Sequence, residues 1–154
     1  MKIEQLYSWL TKINELDLQN KSVLIIGSGY ISEEYVHALL KLKISNITII
    51  TKTGKSIKKL CKLNNIKLLI GGFQKIDYAK KHDLVIIATP ISLLIPATEF
   101  ALKIGNENIL IEKPGSLYYK KLIELSKKNK SKRIRIAYNR FCLLYTSDAA
   151  DDSL

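Results

Sequence analysis

Residues 22 to 32 constrain this chain more than any other stretch. The apolar run Val23 to Ile26 stops at Gly27, Gly29 follows, and an amphipathic segment begins at Ile31. The pattern predicts a buried strand, a tight turn and the first turn of a helix. Gly27 can adopt a turn conformation that a side chain resists, and Gly29 lets the backbone come close to a bound group. The free N–H groups at the helix start, near Tyr30 and Ile31, form an anion site with Ser28 between the two glycines. A dinucleotide pyrophosphate fits such a turn. The third small position, which serves close helix–strand packing, is Ser32.

Strand and helix signals alternate through the rest of the chain. Ile3, Leu6, Tyr7, Leu10, Ile13 and Leu16 have helical spacing, and Asp17 to Lys21 is a polar link. After the turn, Ile31, Tyr35, Ala38, Leu39 and Leu42 predict one face of a helix. The β-branched run Asn46 to Thr51 is a second strand. Ile57 to Leu63 reads as a short helix and Lys67 to Ile70 as a third strand closed by two glycines. Ile76 to Lys81 reads as another short helix, with His82 as a solvated turn residue. Asp83 to Ala88 is a fourth strand that runs into Thr89-Pro90, and Pro96 can open the helix that Gly105 caps. Ile109 to Ile111 is a fifth strand, Leu117 to Lys128 a helix, and Arg133 to Tyr138 a sixth strand. Such alternation predicts an α/β fold: a doubly wound parallel sheet of about six strands (a Rossmann fold) with an extra N-terminal helix. Residues 1–20 are the helix and link, and 21–141 the dinucleotide-binding domain.

The end of the second strand meets the adenosine ribose in such folds, and an acidic residue there favours NAD. Here Thr51, Lys52 and Thr53 stand instead, followed by Gly54, Lys55 and Ser56. Hydroxyls and ammonium groups suit a 2′-phosphate, so the expected cofactor is NADP ahead of NAD. The same residues also suit a polar turn with Ser56 as N-cap.

Bulk properties narrow the setting. A chain of 154 residues with 47% hydrophobic content can form one domain with a full core. It has no run apolar enough for a bilayer and no leader pattern, and its two cysteines suggest neither a disulfide framework nor a metal site. A cytoplasmic location without membrane or metal partners is expected. The net charge of +11 comes from scattered lysines with no interleaved aromatics, so solvated helix faces are expected and nucleic acid is not.

Three stretches together resemble the Gfo/Idh/MocA oxidoreductase family: Val23 to Ile31, Val85 to Pro90, and Ile109 to Pro114 with its Glu-Lys-Pro element. Ala137 to Phe141 is similar to a further family stretch with one arginine missing. The resemblance covers about residues 22 to 141. It implies an NAD(P)-binding domain and a second, substrate-holding domain that often makes a homo-oligomer. It also implies hydride transfer at a carbon of a sugar, inositol or nucleotide-sugar. Carried over, Gly27, Ser28, Gly29, Tyr30 and Ile31 line the pyrophosphate. Ala88, Thr89 and Pro90 border the ribose, and Glu112 and Lys113 lie near the nicotinamide. Lys113 is the candidate catalytic residue, an ammonium that can polarise a hydroxyl or carbonyl. The family often has Asn and His after Thr-Pro, where this chain has Ile91 and Leu94, which predicts an apolar pocket.

Residues 142 to 152 resemble the translation of a transposase-type sequencing adapter, so 142–154 are expected to be non-native and the substrate domain to be missing. The fragment alone is then expected to be inactive. A non-catalytic nucleotide-binding or regulatory module on the same fold is the main alternative. A methyltransferase would want the absent acidic residue after the second strand, and a nucleic-acid binder would show steep salt dependence.

Overall fold

A computed structural model describes residues 16–138. The expected N-terminal helix, the Asn139 to Phe141 segment and the tail lie outside the described residues. The six strands are β1 (Ser22–Ile26), β2 (Asn46–Thr51), β3 (Lys67–Ile70), β4 (Leu84–Ile87), β5 (Asn108–Glu112) and β6 (Arg133–Ala137). The helices are α1 (Tyr30–Lys41), α2 (Lys58–Leu63), α3 (Leu94–Lys103) and α4 (Tyr119–Lys128), with a 3-10 turn at Ile91–Leu93.

All strand pairs are parallel, and the order across the sheet is β3-β2-β1-β4-β5-β6. The chain winds outward from β1 to β3, then crosses back to β4 on the other side of β1. The direction of winding therefore reverses between β1 and β4. This is the doubly wound Rossmann arrangement, and the reversal opens a crevice beyond the carboxyl ends of those two strands.

The central strands are apolar on both faces because both are covered. Leu24, Ile26, Ile50, Val85 and Ile87 pack on one face with Leu94, Ala97 and Ala101 of α3 and Leu125 of α4. Val23, Ile25, Ile47, Ile49 and Ile86 pack on the other with Val36 and Leu39 of α1, Ile57, and Cys61 of α2. Each fully buried Leu or Ile contributes roughly 1.5–3 kcal/mol.

Several sequence expectations are corrected. The buried face of α1 is Ser32, Val36 and Leu39, while Ile31 and Leu42 are exposed. The stripe is thus rotated about one position from the expected one, and Tyr35 lies at its margin with its hydroxyl bonded to Glu112. Ile76 to Lys81 is not a helix. Ile76 and Tyr78 pack against the core while Asp77 and Ala79 are exposed, the period-two pattern of an extended connection. His82 is not a solvated turn residue. It is buried, its backbone N–H donates to Asn106 Oδ1 (2.8 Å), and its Nε2 pairs with the Tyr78 hydroxyl (2.6 Å). The α3 helix starts two residues before Pro96, after the 3-10 turn.

Candidate functional site

Gly27 leaves β1 with φ +126°, and its N–H donates to the Ile50 carbonyl of β2 at 2.9 Å. On its other side runs the end of β4: a Cβ on Gly27 would sit 2.1 Å from the Ala88 carbonyl oxygen. No side chain fits there, so the glycine permits β1 and the β4 exit to converge. Gly29 differs. It is extended (φ −77°, ψ 179°), it stands at the N-cap of α1, and a Cβ there would meet nothing within 4 Å. The next residues, Tyr30 and Ile31, carry the first N–H groups of α1, which have no carbonyl of an earlier turn to bond. Both have exposed side chains. Glu33 adds a carboxylate to the same helical turn.

The exit of β2 is tied to this turn. The Ser28 and Thr51 hydroxyls lie 2.6 Å apart, and Ser56 Oγ donates to the Ser28 carbonyl at 2.6 Å. Ser56 therefore does not cap α2, whose N-cap is Ile57 without a side-chain bond. Thr51 is buried, whereas Lys52, Thr53 and Lys55 are exposed around it.

On the far side of the crevice, Ala88 is buried, Thr89 is half-buried and Pro90 is exposed. Thr89 Oγ1 is itself buried with no hydrogen-bond partner in the protein. An orphaned hydroxyl beside an open crevice is a donor or acceptor that a ligand can satisfy. Of the two residues expected to make an apolar pocket, only Ile91 is exposed near this edge. Leu94 is fully buried in the core and corrects that expectation.

Glu112 ends β5, with Lys113 exposed after it and a cis peptide bond between Lys113 and Pro114. Both carboxylate oxygens of Glu112 accept hydrogen bonds: Oε1 from the Tyr35 hydroxyl at 2.5 Å and Oε2 from the Lys113 N–H at 3.3 Å. Burial of the Tyr35 phenol, helped by this bond and the charge of Glu112, holds its pKa far above the ordinary value.

The structure thus gathers Gly27 to Ile31, Thr51 to Thr53, Ala88 to Pro90 and Glu112-Lys113 at the carboxyl ends of β1, β2, β4 and β5. Two features of this edge suit a ligand with an anionic group: the helix tip behind Gly29, and the Thr89 hydroxyl left without a partner. Among the described residues no group of His, Cys, Asp or Glu could hold a metal ion. Surface grooves elsewhere lie away from this edge: one of about 350 Å³ between α3 and α4, another of about 570 Å³ between residues 76–81 and α3. Sequence reading placed Ser56 in the loop after β2 but not its bond to the glycine turn, and it missed Tyr35 as a member of the edge. A tyrosine on an apolar helix face was the available signal, since a buried phenol usually finds a polar partner.

The sequence profile described as Shikimate / quinate 5-dehydrogenase matches residues 9–108, from the N-terminal segment to the start of β5. The chain belongs to the shikimate / quinate 5-dehydrogenase family. A shikimate dehydrogenase (NADP(+)) of Prochlorococcus marinus is 30% identical over 101 residues, covering 62% of this chain and 35% of that protein. This family member spans about a third of the length of the curated relatives it matches.

Solved structures show the fold. A Gfo/Idh/MocA family oxidoreductase from Vibrio cholerae superposes with a TM-score of 0.61 at 18% identity, over 79% of this chain and 39% of that one. Scyllo-inositol dehydrogenase from Lactobacillus casei, solved with NAD(H) and scyllo-inositol, gives 0.63 at 17% identity, over 79% and 37%. The Gfo/Idh/MocA resemblance drawn from the three sequence stretches is borne out at this level: proteins of that type are structural neighbours of this family member. Glu112 to Pro114 lie beyond the residues that the shikimate / quinate profile matches.

Proposed function

We propose that this chain is the coenzyme-binding part of an NADP-dependent dehydrogenase. The complete protein moves a hydride between the coenzyme and a ring carbon bearing a hydroxyl or ketone. Family membership favours a hydroxylated ring acid of the shikimate or quinate type as substrate. The observation that carries the coenzyme reading is the loop after β2. It has hydroxyls and lysines where an NAD site wants a carboxylate, and it is bonded through Ser28 and Ser56 to the glycine turn.

In this reading Gly27, Ser28, Gly29, Tyr30 and Ile31 hold the pyrophosphate with backbone N–H groups at the tip of α1. Thr51, Lys52 and Thr53 take the 2′-phosphate, with Lys55 nearby. Ala88, Thr89 and Pro90 border the second ribose, where the Thr89 hydroxyl finds its missing partner. Glu112 and Lys113 stand at the nicotinamide end. The coenzyme, when bound, gives or takes the hydride. The exposed Lys113 ammonium would favour negative charge on the substrate oxygen and could hand it a proton.

A second reading has a specific observation behind it. Glu112-Lys113-Pro114, the element shared with the Gfo/Idh/MocA family, favours a sugar, inositol or nucleotide-sugar carbon. Assaying the full-length protein with shikimate, quinate and scyllo-inositol decides between the two.

Coenzyme choice is tested by titrating the 154-residue chain with NADPH and NADH. The expected result is at least about tenfold tighter binding of NADPH, a difference of about 1.4 kcal/mol. Tenfold preference for NADH removes the 2′-phosphate assignment, and no binding of either at millimolar concentration removes the coenzyme site.

A further inference from the structure

We infer that Tyr35 is a positioning residue for the nicotinamide end of the site, acting through Glu112. This rests on the coenzyme reading above. Tyr35 is on α1, the helix whose first turn would hold the pyrophosphate, and Glu112 ends β5, two strands away in the sheet. The 2.5 Å bond between them spans 77 positions of sequence. It is a side-chain link between α1, which follows β1, and the end of β5, on the other side of β4.

The geometry around Glu112 limits what the residue can do itself. Oε1 is taken by the Tyr35 hydroxyl and Oε2 by the backbone N–H of Lys113. A half-buried carboxylate so occupied is poorly placed as a base or as a ligand. It is well placed as a clamp. Tyr35 fixes Glu112, and Glu112 fixes the backbone at Lys113, whose side chain is exposed at the edge. Removing the phenol oxygen frees one carboxylate oxygen to rotate, and the hold on the Lys113 amide loosens with it.

The location of the clamp predicts which part of the coenzyme feels it. The fold consists of two mononucleotide-binding halves about the β1–β4 reversal. Adenosine and its 2′-phosphate belong with β1, β2 and β3, and the nicotinamide belongs with β4 and β5. Loss of the clamp should therefore weaken contacts to the nicotinamide half and spare the adenosine half. A tyrosine that only stabilised the fold would affect both halves alike.

The experiment compares wild type, Tyr35→Phe and Glu112→Gln as the 154-residue chain. Two probes are titrated: NADPH, and adenosine 2′,5′-bisphosphate, which lacks the nicotinamide half. Circular dichroism and thermal unfolding check that each variant is folded. Tyr35→Phe should bind NADPH about tenfold more weakly, the scale of one lost bond to a charged group, and hold the bisphosphate within about twofold. Glu112→Gln should show the same asymmetry and stands in if Tyr35→Phe does not fold. The double variant should be no worse than the more severe single one: Tyr35→Phe removes the bond to Oε1, Glu112→Gln replaces one of the two acceptor oxygens with an NH2 and so cannot accept both bonds, and the relay fails when either link is lost. Equal weakening of both probes, or of neither, while wild type binds both, overturns the role of Tyr35 and leaves the coenzyme site standing. Wild type that binds neither probe overturns the coenzyme site and the clamp with it.

Discussion

The side-chain oxygens of Ser28 and Thr51 lie 2.6 Å apart, a contact between the glycine turn after β1 and the last residue of β2. Ser56 reinforces it by donating to the Ser28 carbonyl. The loop that bears Lys52 and Lys55 is therefore fastened to the turn over α1. Lys52 and Lys55, one and four positions after Thr51, are thereby held on the loop next to the turn.

Charge removal in that loop should consequently be selective. Lys52 and Lys55 are exposed, so their loss leaves packing untouched. Lys52→Ala with Lys55→Ala is expected to weaken NADPH about tenfold, or about 1.4 kcal/mol, and to leave NADH unchanged. Fluorescence titration at low and high salt checks it. The NADPH difference should shrink as salt rises, because exposed charges are screened.

The two glycines of the turn should fail in opposite ways. Gly27→Ala sets a methyl 2.1 Å from the Ala88 carbonyl oxygen at φ +126°, and both the clash and the backbone angle oppose it. We expect a loss of about 2–4 kcal/mol in urea unfolding, with coenzyme binding lost as β1 and the β4 exit part. Gly29→Ala meets no atom within 4 Å and has an ordinary φ. Its unfolding free energy should move by less than about 1 kcal/mol. Its methyl enters the space a pyrophosphate needs, so NADPH binding should fall while stability holds.

The fold was legible because its central strands announce themselves. Val23 to Ile26, Ile47 to Thr51 and Leu84 to Ile87 are runs of β-branched and aliphatic residues covered on both faces, and a glycine or proline (Gly27, Gly54, Pro90) follows each within three residues. The six parallel strands and the carboxyl edge followed from that alternation. What escaped depends on contacts between distant residues. His82 looked like a solvated turn because nothing local shows that Asn106, 24 positions on, receives its backbone N–H. Residues 76 to 81 have helix-forming composition, but the core takes Ile76 and Tyr78 on alternate positions, which extends the chain. Tyr35 was counted in the apolar stripe of α1 because its body is apolar, while its hydroxyl belongs to β5.

Ser32 offers a stabilising change. It is fully buried where α1 packs on β1, and its Oγ is buried without a hydrogen-bond partner. A small residue is required there, and the hydroxyl is not. Ser32→Ala should raise the unfolding free energy by about 1 kcal/mol, because an unsatisfied buried polar group is removed at nearly constant volume. Ser32→Val adds bulk in the same place and should lower it by about 1–3 kcal/mol. Chemical denaturation of both variants with the same m-value is the check.

Acid should destabilise the protein in two stages through neighbouring residues at the amino ends of β1 and β4. Burial lowers the His82 pKa from its ordinary 6.5, with Lys80 and Lys67 adding to the effect and Asp83 opposing it. A depressed folded-state value means that the unfolded chain takes the proton first. The stability held by neutral His82 is complete above about pH 6.5 and declines as pH falls below it. Asp83 comes next. The Ser22 N–H at 2.9 Å, the Ser22 hydroxyl at 2.8 Å and Lys21 at 3.1 Å lower its pKa from 3.8 to about 2. Its contribution is complete above about pH 4 and is lost as pH falls towards 2. Thermal unfolding measured from pH 8 to pH 2 should show both declines. His82→Gln should flatten the first and keep the second. Asp83→Asn should flatten the second, because an amide can still accept from Ser22 but has no charge to lose, and should deepen the first, because the Asp83 charge no longer favours protonated His82.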